Sequence, residues 1–150
     1  MSKAILISKF GGPEVLELKE INLPKLWPKE VLLINSSIGL NFIDTYHRSG
    51  LYPLNLPSGI GVEGSGVVVE TGSDVKLFKI GDRVAYSSMP IGAYSEMHIM
   101  PEEKLVSVPN DISHEIASSM LLKGMTCEYL LHRTYKVTSK DTILFHAAAG

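Results

Sequence analysis

Gly66-Val67-Val68-Val69-Glu70 runs directly into Thr71-Gly72-Ser73-Asp74, an apolar strand followed by a turn. β-Branched residues suit a pleated, half-buried surface, and small polar residues with glycine suit the turn that ends it. The same alternation extends in both directions. Upstream, the apolar runs 4–9 and 15–21 are separated by Gly11-Gly12-Pro13, and the run 31–38 follows a proline-bracketed loop over 23–30. Downstream, Lys79-Ile80-Gly81-Asp82 turns the chain into 83–86, and the runs 93–100 and 105–108 complete the set. Many short strands with Gly and Pro turns predict a closed or nearly closed β-barrel rather than a parallel sheet.

Beyond residue 110 the pattern changes. Asp111-Ile112-Ser113 offers a helix N-cap, and His114-Glu115 places an acid in the first turn. Ile116, Met120, Leu121, Tyr129, Leu130 and Leu131 fit helical spacing, with Gly124 as the expected break between two helices. Thr138-Ser139-Lys140-Asp141 reads as a loop. Residues 142–147 are apolar apart from His146 and predict a buried parallel strand, followed by Ala148-Ala149-Gly150. A buried strand leading into small residues and glycine is how a Rossmann unit opens. One such strand does not bury its own faces, so the chain is expected to be a fragment that stops inside that unit. The expected organisation is a barrel over 1–112, connecting helices over 113–141, and a first Rossmann strand with the start of its glycine turn over 142–150.

The bulk properties exclude several classes. The 150 residues are 45% hydrophobic and 20% charged, with a formal net charge of -2, which gives no basic footprint for nucleic acid. One cysteine, Cys127, excludes an internal disulfide framework and fits a reducing cytoplasm. The N-terminal apolar run is too short for a signal peptide, and no stretch approaches the ~20 apolar residues that span a bilayer. The expectation is a soluble cytoplasmic domain with neither a nucleic-acid nor a membrane partner.

Three segments carry a resemblance. They are Gly39-Leu40-Asn41-Phe42-Ile43-Asp44-Thr45-Tyr46 continuing to Pro53, then Gly61-Val62-Glu63-Gly64-Ser65-Gly66 with Gly81-Asp82-Arg83-Val84, then Leu122-Lys123-Gly124-Met125-Thr126 leading to His146-Ala147-Ala148-Ala149-Gly150. In this order they resemble the quinone oxidoreductase (zeta-crystallin-like) branch of the medium-chain dehydrogenase/reductase superfamily. The resemblance implies a mainly β fold with helices: a GroES-like catalytic barrel, then a Rossmann α/β domain of which only the first strand is expected here. It also implies NADPH as cofactor, a small-molecule quinone as substrate, an active site between the two domains and a homodimeric full-length protein. The fragment alone is expected to be inactive.

Zinc-dependent relatives carry a catalytic Cys where Asn41 stands, His-Glu where Val62-Glu63 stand, and a third ligand, Cys, near Leu122. Zinc needs several N or S ligands converging in tetrahedral geometry, which Asn41, Val62 and Leu122 do not supply. No metal is expected. His47, His98, His114, His132 and His146 show no ligand spacing and read as scattered surface or core residues.

The resemblance assigns cofactor contact to Asn41, Phe42, Ile43, Asp44, Lys123, Thr126, Tyr129 and Gly150, quinone contact to Tyr46, Arg48 and Tyr52, and catalytic roles to Asn41 and Tyr46. Each has a plainer alternative. Asn41 caps or turns a loop, or its amide holds the cofactor or the substrate carbonyl. Asp44 caps a short helix, or orients Asn41 and the nicotinamide ribose. Tyr46 and Tyr52 pack the barrel, or stack on the flat quinone and donate to its oxygen. Arg48 is a solvated surface charge, or draws anionic ligands to the cleft. Thr126 and Tyr129 face one ligand as i, i+3 neighbours, or pack a helix. Cys127 has no basic neighbour to make it a nucleophile. Gly64 and Gly66 are structural. Two rival readings stay open: a non-catalytic GroES-like binding module, and an enone or aldehyde reductase of the same superfamily.

Overall fold

The computed structural model describes residues 1–146. Strands β1 (Ser2–Ile7) and β2 (Glu17–Ile21) pair antiparallel, with Ser2 opposite Ile21 and Leu6 opposite Glu17. The other edge of β1 is shared. Its end pairs with the two-residue strand β4 (Ser58–Gly59), while Ala4 bridges to Ser95. A five-stranded antiparallel sheet holds β3 (Glu30–Gly39), β5 (Glu63–Thr71), β6 (Arg83–Ser87), β7 (Met97–Pro101) and β8 (Leu105–Ser107), in the order β7-β3-β5-β6-β8. Hydrogen bonds from Ile5 N to Tyr94 O (2.8 Å) and from Glu96 N to Lys3 O (2.9 Å) stitch the two sheets together just ahead of β7.

Alternation along the long strands places the core. Val31 and Leu33 of β3, Val68 of β5, Val84 and Tyr86 of β6, and Met100 of β7 meet inside the barrel. Of the three consecutive valines, Val68 is fully buried while its neighbours are only partly so. The β3–β5 register slips twice, between Leu32 and Leu33 and between Asn35 and Ser37. Such bulges raise local twist and help a sheet curl toward closure. Gly66 lies at the second slip, where a Cβ would run into the Ile34 carbonyl.

The helices differ from the sequence reading in three places. Residues 42–49 form α1 (Phe42–Ser49), which was expected only as one alternative around Asp44. Gly50 ends it with φ +83°, a left-handed conformation that glycine adopts without Cβ strain. The second helix, α2 (His114–Glu128), is capped as expected, Ser113 Oγ accepting from Ile116 N at 3.3 Å. It runs unbroken through Gly124 and ends in a π-helical turn over Tyr129–Thr134. An interior glycine costs a helix only about 1 kcal/mol, less than packing on one face returns. Here Ala117, with Ile112 and Leu121 beside it, packs on Ala85 and Val108.

The buried strand expected over 142–147 is not formed in its described part. Residues 142–146 pair with no strand, and Ile143, Leu144 and Phe145 are exposed, Leu144 to 80%. A parallel strand needs neighbours on both edges and cover on both faces, and no strand of the barrel offers them. Ala147 and the Ala148-Ala149-Gly150 ending lie outside the described residues.

Candidate active site

Asn41 stands two residues after the end of β3 and caps the start of α1, so its position is held from both sides. It is 7% exposed. Its backbone carbonyl accepts from Asp44 N at 3.0 Å, and its backbone N–H donates to Asp44 Oδ2, also at 3.0 Å. Asp44 therefore satisfies an otherwise orphaned donor at the helix N-terminus, and the local charge is stabilising there. Tyr94 completes this support by donating from its hydroxyl to Asp44 Oδ2 at 2.7 Å. Burial, followed by the Asp44 carboxylate it donates to, raises the Tyr94 phenol above the usual phenol range. The second oxygen, Asp44 Oδ1, is buried with no protein partner.

With the backbone of Asn41 committed to α1, its side chain is free to point elsewhere. Nδ2 donates to Glu63 Oε2 at 2.7 Å, and Oδ1 accepts from Lys123 Nζ at 3.0 Å. Glu63 opens β5 and is 0% exposed. Its other oxygen, Oε1, accepts from Leu122 N of α2 at 2.7 Å. The Lys123 ammonium lies 3.9 Å from Glu63 Oε2, with more than half of its side chain in solvent. A buried carboxylate is stable only when paired and hydrogen-bonded, and Glu63 has both kinds of partner. Three elements thus converge: β5 supplies the carboxylate, the β3–α1 junction the amide, and α2 the ammonium.

On α1, one turn after Asn41, an aromatic cluster begins. Tyr46 lies edge-on to Phe42 and to Tyr52, with ring centroids 5.3 Å apart in both pairs, and His47 meets Tyr52 at 6.2 Å. Phe42 and Tyr52 are exposed, Tyr46 and Ile43 half-buried. Burial lowers the His47 pKa against the opposing pull of Asp44, and His47 Nδ1 has no protein partner.

Of the residues expected at the site, the fold joins Asn41 to Lys123, sets Asp44 behind Asn41 and groups Phe42, Tyr46 and Tyr52. Arg48 is used elsewhere: its Nε donates to Gly11 O at 3.3 Å and braces the turn after β1. Thr126, three residues after Lys123, is exposed, and its hydroxyl donates to Leu122 O of its own helix at 2.8 Å. Tyr129 is exposed at the start of the π-helical turn, and Gly150 lies outside the described residues. Glu63 and Tyr94 join the site only in the folded chain. The available signal was a lone carboxylate inside the glycine- and valine-rich stretch 61–69, a position where a strand gains nothing by carrying a charge. Among the described residues no group of three or more His, Cys, Asp or Glu side chains could hold a metal ion. A groove of about 710 Å³ between Trp27, Pro28 and the turn over 70–73 is lined by none of the site residues.

The chain compares closely with known proteins. The alcohol dehydrogenase GroES-like domain matches over residues 27–141. A quinone oxidoreductase of Pseudomonas aeruginosa is 55% identical over the whole chain, which covers 46% of that relative. A quinone oxidoreductase crystal structure from Pseudomonas syringae pv. tomato DC3000 superposes with a TM-score of 0.97 at 54% identity, covering 100% of this chain and 46% of the other. Escherichia coli quinone oxidoreductase, crystallised in complex with NADPH, gives a TM-score of 0.89 at 46% identity, covering 91% of this chain and 42% of the other. The chain therefore spans about half the length of the relatives it matches. With a domain match across most of its length and a barrel that superposes on theirs, the chain belongs to the alcohol dehydrogenase GroES-like domain family, and the three relatives named above are quinone oxidoreductases.

Proposed function

We propose that this chain is the catalytic barrel of a zinc-independent, NADPH-dependent quinone oxidoreductase. In this reading residues 1–112 form the barrel and 113–141 lead toward the interdomain cleft. Residues 142–150 become the first strand and glycine turn of a Rossmann domain once its other strands are present. The whole protein is a cytoplasmic homodimer in this reading.

The observation that carries the reading is the anchored Asn41 amide. With one N–H given to Glu63 and one lone pair to Lys123, Asn41 keeps one N–H and one lone pair. That remainder complements a carboxamide, the group nicotinamide presents. Asp44, buried behind Asn41, accepts the Asn41 backbone N–H and so fixes where that amide stands. This arrangement fits NADPH, and the NADPH complex of the Escherichia coli relative supports the choice.

Bound NADPH supplies a hydride. The work left to the protein is placement and the exclusion of water. Asn41 and Asp44 orient the cofactor from the barrel side, with Phe42, Ile43, Lys123, Thr126, Tyr129 and Gly150 as further contacts. Tyr46 and Tyr52 present an amphipathic aromatic surface suited to a flat quinone. A quinone is electrophilic enough to need no Lewis acid, which agrees with Asn41, Val62 and Leu122 standing where relatives carry zinc ligands. Solvent or the Tyr46 hydroxyl supplies the proton. Arg48, turned to Gly11, contributes charge near the cleft rather than contact.

The full-length protein should oxidise NADPH in a quinone-dependent assay and carry no zinc in elemental analysis after dialysis against chelator. Residues 1–150 alone should give no turnover. Stoichiometric retained zinc, or the absence of quinone-dependent oxidation by the full-length protein, would overturn the reading.

A further inference from the structure

We infer that Glu63 is a positioning residue that acts on the cofactor through Asn41, an inference that rests on reading this site as a nicotinamide site. Glu63 has no exposed surface, so it does not touch a ligand itself. Its effect passes through the groups it holds. An ionised carboxylate only accepts hydrogen bonds and an ammonium only donates them. Between Glu63 Oε2 and Lys123 Nζ, the Asn41 amide has one permitted orientation, Nδ2 toward the carboxylate and Oδ1 toward the ammonium. Flipping it would set oxygen against oxygen on one side and N–H against N–H on the other.

Glu63 is also the rigid member of the three. Lys123 carries a long side chain mostly in solvent, whereas Glu63 is tied to the α2 backbone through Leu122 N and held in β5. One carboxylate therefore sets the amide, keeps the ammonium within 3.9 Å and pins α2 against the barrel. Glu63→Gln keeps the shape but turns one acceptor into a donor, which faces Asn41 Nδ2 and removes the reason for its orientation.

The test is a coupling measurement on the full-length protein. NADPH dissociation constants and Tm are measured for wild type, Asn41→Ala, Glu63→Gln and the double variant. Each single change should weaken NADPH binding about 2- to 13-fold, the range for one lost neutral hydrogen bond. In the Asn41→Ala background, Glu63→Gln should add less than about 2-fold, because the route through Asn41 is already gone. Multiplicative losses, or a loss with Asn41→Ala and none with Glu63→Gln, would overturn the role of Glu63 alone. Unchanged binding in Asn41→Ala would overturn the nicotinamide reading beneath it. Should Glu63→Gln not fold, the exchange Glu63→Gln with Asn41→Asp restores a donor facing an acceptor and an acceptor facing Lys123. It should fold with a Tm above that of Asn41→Asp alone, and its NADPH binding should match Asn41→Ala. A double exchange that does not fold, a Tm no higher than that of Asn41→Asp, or wild-type affinity would overturn the inference.

Discussion

Lys123 Nζ reaches across 82 positions of sequence to within 3.0 Å of Asn41 Oδ1, and this contact joins the middle of α2 to the start of α1. The amide so held is the polar centre of the site, while Tyr46 on the next turn of α1 belongs to an aromatic surface. The two residues should therefore fail differently.

In the full-length protein, Asn41→Ala should lower kcat/KM for quinone reduction about 2- to 13-fold, the loss of one positioning hydrogen bond. Tyr46→Phe keeps the ring packed between Phe42 and Tyr52 and deletes only the hydroxyl. It should cost less than Asn41→Ala, with solvent supplying the proton. Steady-state kinetics decide between them. A loss in kcat on the order of 10²-fold for Tyr46→Phe would make its hydroxyl the proton donor.

Gly39 precedes the site by two residues and sits where α2 crosses β3. A Cβ there would collide with the Ser118 carbonyl and with the Glu63 side chain. Because one contact is backbone, no rotamer change relieves it. Gly39→Ala should destabilise the fold by about 1–3 kcal/mol and lower Tm by several degrees, about 2–8 °C per kcal/mol for domains in this size range. Thermal unfolding followed by circular dichroism is the check, and an unchanged Tm would show that α2 shifts freely on the barrel.

The barrel should lose stability below neutral pH. His98 is buried, tilted over Tyr86 at 5.2 Å, and donates from Nε2 to Pro90 O at 3.2 Å. Burial pulls its pKa down from 6.5 to about 4, opposed by the bond to Pro90. Between those values the unfolded chain binds the proton and the native state does not, so stability rises with pH across the window. The contribution is fully present above about 6.5 and lost as pH falls toward about 4, on the order of 2–4 kcal/mol. His114 is shifted the same way, by burial and then by Arg83, as is His47 by burial. Glu102 is held low mainly by the N–H groups of Leu77 and Lys76, so its contribution is intact above 4.5 and is lost only as pH falls below that. Urea midpoints at pH 7 and pH 5 should differ for wild type, and His98→Phe should flatten the difference. An equal difference in both proteins would remove His98 from this account.

The strands and their turns were legible along the chain because both signals are local. The valines of 66–70 and the Gly and Pro clusters around them act on neighbouring residues, and seven of the eight strands among the described residues overlap apolar runs of the sequence. The two-residue β4 escaped because a strand that short carries no period, and it exists only where β1 offers an edge. Gly124 misled for a related reason. Its cost to a helix is local, but the packing of Ala117 against Ala85 and Val108 that outweighs it is not. The exposed run 143–145 is the reverse case: its apolar character is plain in the sequence, yet a parallel strand forms only against neighbours that this barrel does not supply. The site divides in the same way. Asn41, Asp44 and Tyr46 stand together in one motif and were read together. Glu63 gained its meaning only when folding brought Asn41 and Leu122 to its two oxygens from 22 and 59 positions away. A hydrogen bond is decided by distances of about 3 Å, and sequence spacing controls such distances only within a turn of helix or a strand pair. Across the barrel it is the register of β3 on β5 and the seat of α2 that bring the carboxylate, the amide and the ammonium together.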